Sequence, residues 1–311
     1  MTPLPLDHVE TDHRSTLEEF KPLEIEDRDV IIGYLRRDPP RISELTFTNL
    51  FMWRHYYRPV WRVVDESLVI ICTPFDAPAF SLAPIGPGDK TRALEFLFDH
   101  QLETGSPTRL SRVEREFIER WIDLQRYRVE ADPNQSDYVY LTEDLINLSG
   151  RHLHQKRNHL NYFLKNYSCD CLELDEGLVT QVLEMQEEWC LRRDCQGDSR
   201  LAGENEAIIE ALQYFKELNF RGLAVLIDNK IEAFTLGEPL NPETVVIHAE
   251  KANPEIRGLY SFVNQYFCQY FWSGYKYINR EQDLGVEGLR QAKKSYHPYY
   301  MMEKFNIFLN Y

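Results

Sequence analysis

The sequence predicts an α/β protein built on mixed sheets, laid out as two successive halves of similar plan. Three observations predict it. Strand and helix signals alternate along the whole chain instead of segregating, which excludes a helical bundle and an all-β sandwich. Each half contains a run of short strands followed by a helix, a strand, a helix and a strand. The 311 residues suffice for two domains of ordinary size, each with its own core.

In the first half, residues 23–26 read as a short strand, and 27–35 and 42–55 as helices. Strands follow at 58–64 and 67–73 about the turn Asp65-Glu66, then at 80–84, closed by the break Gly86-Pro87-Gly88. Residues 90–103 form an amphipathic helix with Leu94, Leu97 and Phe98 on one stripe. A helix at 112–124 precedes strands at 127–129 and 136–141, split by the turn Asp132-Pro133-Asn134. The second half opens with a helix at 151–166, a strand at 169–174 and helices at 178–193 and 204–218. Three antiparallel strands come next, at 221–227, 230–236 and 244–249, the first two joined through Asp228-Asn229. A helix at 254–272, a strand at 275–279, a helix at 286–295 and a strand at 299–309 complete it. The boundary falls near 132–143, so the expected domains are 20–135 and 136–311. Residues 1–19 are polar and acidic, lack the apolar segment of a secretory signal, and are expected to form a loose arm.

The formal charge of −15 opposes nonspecific binding to nucleic acid or to anionic membrane, so any polyanion must be held by a local basic patch. No run of 18 apolar residues is present, so a spanning helix is not expected, and a cytoplasmic location is. The six cysteines, Cys72, Cys169, Cys171, Cys190, Cys195 and Cys268, show no paired CxxC spacing. They read as reduced structural thiols, with Cys169 and Cys171 on one face of a strand, and no metal site is expected.

Basic residues concentrate at two places. In Ser149-Gly150-Arg151-His152-Leu153-His154-Gln155-Lys156-Arg157-Asn158-His159, Ser149 stands as a helix cap, with Arg151, Lys156 and Arg157 in the first two turns. Free N–H groups at a helix start favour anions, so the cluster reads either as a phosphate clamp or as a solvated face paired with Glu143 or Asp144. Arg290 and Lys293, three apart in Leu289-Arg290-Gln291-Ala292-Lys293-Lys294-Ser295-Tyr296, share a helix face and add a second cluster. Between them, Asn279-Arg280-Glu281-Gln282-Asp283-Leu284-Gly285 places Glu281 and Asp283 at a strand end beside a glycine turn. There a carboxylate either takes a proton from an attacking amine or lies in an exposed turn beside Arg280. The stripe Phe262, Tyr266 and Tyr270 reads as core.

The succession of helices, three-strand meander, helix, strand, helix and strand is similar to the GNAT acyltransferase fold, and two copies resemble Fem-type aminoacyl-tRNA-dependent transferases. The segments Leu148-Ser149-Gly150-Arg151, Gln155-Lys156-Arg157-Asn158-His159 and Asp283-Leu284-Gly285-Val286-Glu287-Gly288-Leu289-Arg290-Gln291-Ala292-Lys293-Lys294-Ser295-Tyr296 resemble a bacterial family named for the C-terminal part of phosphatidylglycerol lysyltransferase. Thr48-Asn49-Leu50-Phe51-Met52-Trp53 and Ala83-Pro84-Ile85-Gly86 resemble it too. The resemblance implies tandem GNAT-like domains, an aminoacyl-tRNA or acyl-CoA donor, and a small-molecule or peptide acceptor bearing an amine or hydroxyl. It also implies that Arg257 and Gly258, in Asn253-Pro254-Glu255-Ile256-Arg257-Gly258-Leu259-Tyr260, echo the loop that cradles a donor pyrophosphate, although Tyr260 stands at the usual second glycine position. Tyr296, four residues after Ala292, matches the general-acid tyrosine of that fold, without the asparagine that usually precedes it. The alternative is a non-catalytic protein of the same fold that binds a phosphorylated or carboxylated small ligand through its basic clusters.

Overall fold

The computed structural model describes residues 20–310; the expected arm, 1–19, lies outside them. The N-terminal half contains β1 (Lys21–Pro22), α1 (Arg28–Arg37), α2 (Phe47–Met52), α3 (Arg54–Tyr57), β2 (Val60–Val64), β3 (Ser67–Cys72), β4 (Phe80–Ser81), α4 (Thr91–Glu103), β5 (Arg109–Glu114), α5 (Arg115–Trp121) and β6 (Tyr127–Ala131). There follow β7 (Asp137–Leu141), α6 (Thr142–Asn147), α7 (His154–Asn166), β8 (Asp170–Glu173), α8 (Val179–Arg193), α9 (Ser199–Gln213) and α10 (Phe215–Leu218). The meander is β9 (Arg221–Ile227), β10 (Lys230–Asn241) and β11 (Thr244–Ala252), and α11 (Leu259–Phe271), β12 (Tyr277–Asn279), α12 (Glu287–Lys294), β13 (Tyr300–Met302) and β14 (Lys304–Leu309) complete the chain.

Two seven-stranded mixed sheets result, one ordered β1-β2-β3-β4-β5-β14-β6 and the other β8-β9-β10-β11-β12-β7-β13. The two orders correspond position by position, and in each the fourth and fifth strands form the parallel pair, Ser81 with Leu110 and Thr244 to Val246 with Tyr277 to Asn279. These are the two tandem GNAT-like units that the element order predicts. Counted as seven strands each, β1–β7 and β8–β14, the two sets nevertheless exchange a strand, and the sixth strand of each sheet comes from the other set. β14, at the end of the chain, enters the N-terminal sheet between β5 and β6, while β7 enters the C-terminal sheet between β12 and β13. The strand expected at 299–309 is therefore two strands in two sheets, and residues 304–309 leave the half to which the expected boundaries assign them.

Two elements differ from expectation for physical reasons. Residues 109–114 are a strand, which takes 112–114 from the helix expected at 112–124. Leu110 and Val113 are three apart, as on a helix, yet both enter one core because the register slips by a residue opposite Phe305 and Ile307, with Arg112 at φ +60°. Of the six cysteines, Cys190 and Cys195 form a disulfide, in correction of the expected reduced pair. Asp194, in the left-handed region, turns the chain back at the end of α8 and brings their Cα atoms to 5.1 Å. In the aromatic stripe, Phe262 is buried but Tyr270 is exposed.

The largest apolar core belongs to both halves. Phe47, Leu50 and Phe51 of α2 pack with Ala207, Ile208 and Ala211 of α9 and with Phe234 and Leu236 of β10. Arg54 and His55 reach Glu210 of α9. Behind this core lies a buried ionic knot. Lys304 of β14, fully buried, donates to Asp137 of β7 at 2.6 Å and to Glu44 at 2.5 Å, while Asp137 also accepts from Ser43 and Asn279. One lysine thus ties the exchanged strands together, and Arg112, 3.5 Å from the other oxygen of Glu44, adds the second cation that two buried carboxylates need.

Candidate functional site

The parallel pairing of β11 with β12 ends at Val246 and Asn279, yet β11 continues to Ala252. Past that point the two chains part, and polar side chains fill the gap. β11 itself is kinked there. Leu236 pairs with Ala249 and Gly237 with Ile247, so His248 is the extra residue of a β-bulge. Gly237 is required opposite it, because a Cβ would stand 2.8 Å from the carbonyl oxygen of Val246. On the β12 side Glu281 adopts φ +56°, which turns its side chain to the same gap.

His248 lies between two carboxylates, with Nδ1 3.0 Å from Glu281 and Nε2 2.9 Å from Glu238. Burial pulls the imidazole pKa down, but the hydrogen bonds and charges of the two carboxylates outweigh it and hold it up at about 9, so the ring is an imidazolium at neutral pH. Burial raises the Glu281 carboxyl, with His248 acting against that shift. The histidine side chain keeps 1% of its surface, whereas Glu238 and Glu281 keep 16% and 15%. The carboxylates therefore open towards solvent and the cation stands behind them. The N-terminal half completes the group, since Asn49 of α2 donates to Glu281 at 3.1 Å.

A second polar group lies along the same gap. Arg280 pairs with Glu250 of β11 at 2.9 Å, and Asn264 of α11 donates to the other oxygen of that carboxylate. Tyr296 is buried against them, its ring 4.8 Å from the Arg280 guanidinium and 4.1 Å from Lys156 Nζ. Burial and the neighbouring Glu250 raise its phenol against the charge of Arg280. Burial lowers Lys156 to about 8, reinforced by Arg280, and lowers Lys293 to about 8. Lys293 Nζ donates to the carbonyls of Arg280 and Gln282, each at 2.5 Å, and so braces the loop that carries Glu281.

The structure thus gathers Tyr296, Glu281, Lys156 and Lys293 about the strand gap. Other expected residues have different work. Asp283 is buried, accepts from Tyr138 at 2.6 Å and from Arg290 Nε at 2.8 Å, and is held below the usual carboxylate range as those bonds overcome burial. Arg290 spends its guanidinium there and on Asn134, and Arg151 is exposed in the turn that precedes α7. Arg157 binds the carbonyls of Leu148 and Gly150. Arg257 is exposed over the Tyr162 ring. Gly258, at φ +90°, admits the α7 backbone, since a Cβ would stand 2.2 Å from the His159 carbonyl oxygen. Helix packing by itself therefore requires a glycine at this position. The residues that sequence reasoning did not single out are His248, Glu238, Glu250 and Asn49. Only the out-of-pattern charge of His248 and Glu250 in an apolar strand marks them beforehand.

Residues 36–308 match the family model described as "Phosphatidylglycerol lysyltransferase, C-terminal". The chain belongs to that family. A conserved protein of unknown function from Bacteroides thetaiotaomicron VPI-5482 shares 32% identity and a TM-score of 0.87, over 94% of this chain and 99% of its own. L-PGS from Bacillus licheniformis shares the fold at 13% identity, with a TM-score of 0.64 over 91% of each chain. Among curated relatives, the uncharacterized protein MYCGA3080 of Mycoplasmoides gallisepticum is 23% identical over 60% of this chain, which spans 60% of that relative's length. Among the described residues no helix is long and apolar enough to cross a membrane.

Proposed function

We propose that this protein transfers an aminoacyl or acyl group from an activated ester, an aminoacyl-tRNA or an acyl-CoA, to an amine or hydroxyl acceptor. Family membership supports an acyltransferase-like activity related to lysyl-phosphatidylglycerol synthesis. The observation that carries the site is the Glu238–His248–Glu281 group, built at a bulge where two parallel strands part and completed by Asn49 from the other half. In this reading the acceptor's nitrogen or oxygen attacks the donor carbonyl, and its proton passes to Glu281, whose carboxyl burial raises above its ordinary value and so makes a stronger base. The carbon–oxygen or carbon–sulfur bond of the donor then breaks, and the proton returns to the leaving group. Arg280 and Lys156, beside Tyr296, supply positive charge where the oxyanion develops. No covalent intermediate on the protein is needed, because positioning two reactants in a cleft supplies much of the acceleration.

The donor is identified by presenting labelled aminoacyl-tRNAs and acyl-CoA to the purified protein and following the label into low-molecular-weight or peptide acceptors. Transfer from one donor class is expected. Absence of binding by either class at millimolar concentration removes the reading and leaves a binding protein of the same fold.

A further inference from the structure

We propose that the cavity where β4 and β5 part is a binding site for a free amino acid with an apolar side chain, separate from the strand gap of the C-terminal half. β4 and β5 pair at Ser81 and Leu110. Beyond that point residues 82–85 stay with β3 and β5 stays with β14, so these parallel strands separate as β11 and β12 do. The correspondence extends to the backbone. Two positions past the last parallel pair stand Arg112, at φ +60°, and Glu281, at φ +56°. In the C-terminal half polar side chains fill the opening. In the N-terminal half it holds a cavity of about 280 Å³, near the lower end of the usual range for small-molecule sites.

Charge defines the ligand once the internal pairs are set aside. Asp38 accepts from Lys90 and from the Gly86 N–H, each at 3.0 Å, Glu116 pairs with Arg41 at 3.0 Å, and Arg112 is held by Tyr57 and Glu44. Three lining groups remain. Glu114 lines the cavity with 26% of its side chain exposed, its Oε2 has no hydrogen-bond partner, and the cation within 4.0 Å of it, Arg41, stands at 3.9 Å. Burial raises its carboxyl, Arg41 opposes the shift, and Glu116 and Asp38 add to it, which marks a carboxylate short of positive charge. Arg37 and Arg120 form no ion pair among the described residues. The first donates to the Gly33 carbonyl and the second lies 5.0 Å from the Trp121 ring. A ligand ammonium beside Glu114 and a ligand carboxylate beside the guanidinium groups complete all three. An amine or an acid alone satisfies one sign only. Phe117, Trp121, Pro39 and Ile42 supply apolar wall for the ligand's side chain. Gly86, where a Cβ would stand 2.6 Å from the Glu66 carbonyl oxygen, and the prolines Pro84 and Pro87 fix one rim before the ligand arrives, which lowers the ordering cost of binding.

The test uses the full chain and three probes on one carbon skeleton, L-phenylalanine, phenethylamine and 3-phenylpropanoate, in calorimetric titration at pH 7.5 and constant ionic strength. Phenylalanine is expected to bind, and each of the others to bind at least roughly tenfold more weakly, through loss of one charge-assisted contact. Glu114→Gln is expected to weaken phenylalanine roughly tenfold without weakening 3-phenylpropanoate. Arg120→Glu, at an exposed position of α5, is expected to weaken phenylalanine by a similar factor with the unliganded melting temperature unchanged. Glu281→Gln, at the strand gap, is expected to bind phenylalanine as the native chain does. If Glu114→Gln does not fold, the probes and the Arg120 variant decide. The proposal is overturned by no binding of phenylalanine at millimolar concentration or by equal binding of either single-charge probe. Undiminished affinity in Arg120→Glu or in a folded Glu114→Gln, or lost affinity in Glu281→Gln, overturns it as well.

Discussion

Gly258 and Lys304 show how far a single side chain is constrained. At Gly258 both the φ of +90° and the His159 carbonyl exclude a Cβ. Gly258→Ala is expected to cost more than about 2 kcal/mol in urea denaturation. A glycine kept only for a ligand's approach would instead leave the stability of the free protein unchanged. Lys304 stands between two buried carboxylates, so Lys304→Met leaves Asp137 without a cation and Glu44 with Arg112 alone, and is expected to cost about 3–5 kcal/mol. A loss below about 1 kcal/mol contradicts the ionic knot. Neither role was visible in the sequence. The sequence offers Gly258 only as part of a loop resembling a pyrophosphate cradle, whereas its neighbour is a backbone ninety-nine positions earlier in the chain. Lys304 sits in a strand whose pattern gives no hint that it is wholly enclosed.

At the scale of the element, the bulge in β11 is what places His248 between Glu238 and Glu281. The imidazole ionises at about 9 in the folded chain against an ordinary 6.5, so its contribution to stability is fully present below about 6.5 and is lost as pH rises through 9. Lys156 and Lys293 act in the opposite sense, because their lowered values relieve a penalty as pH rises above 8. The comparison must therefore be made against a variant. Denaturation midpoints at pH 6.5 and 9.5 are expected to fall further for the native protein than for His248→Gln, and equal changes in the two would deny the ion triad. Periodicity located most of these elements, because the meander strands and the amphipathic α4 carry clear patterns. It failed at β5, where a bulge converts strand alternation into helical spacing, and it could not see the bulge at His248, which depends on a register set by the facing strand.

For the whole molecule, the exchanged strands decide what folds. The sixth position of the N-terminal sheet is filled from residues 304–309 and that of the C-terminal sheet from residues 137–141, and the largest core spans α2 and α9. Chains ending after 303 are expected to lose the cooperative thermal transition, because β5 and β6 are left with open edges and Glu44 and Asp137 lose their lysine. A normal melting curve for such a chain would show the exchange to be dispensable. The tandem plan itself was legible, since element order survives in the sequence, but the exchange was not, since a terminal strand carries no label for the sheet it joins. The same holds for the site. Sequence reasoning singles out Glu281 at a strand end and, through the resemblance, Tyr296 on the next helix, whereas Asn49 lies 232 positions away from Glu281 and meets it only through the packing of the halves.

The central claim is that transfer chemistry takes place at the strand gap with Glu281 as its base, and single-turnover transfer of label by the native protein and by Glu281→Gln tests it most directly. The account predicts donor affinity within a few fold of native and a transfer rate lowered by roughly 10² to 10⁴. A folded Glu281→Gln protein that transfers label at the native rate would contradict it.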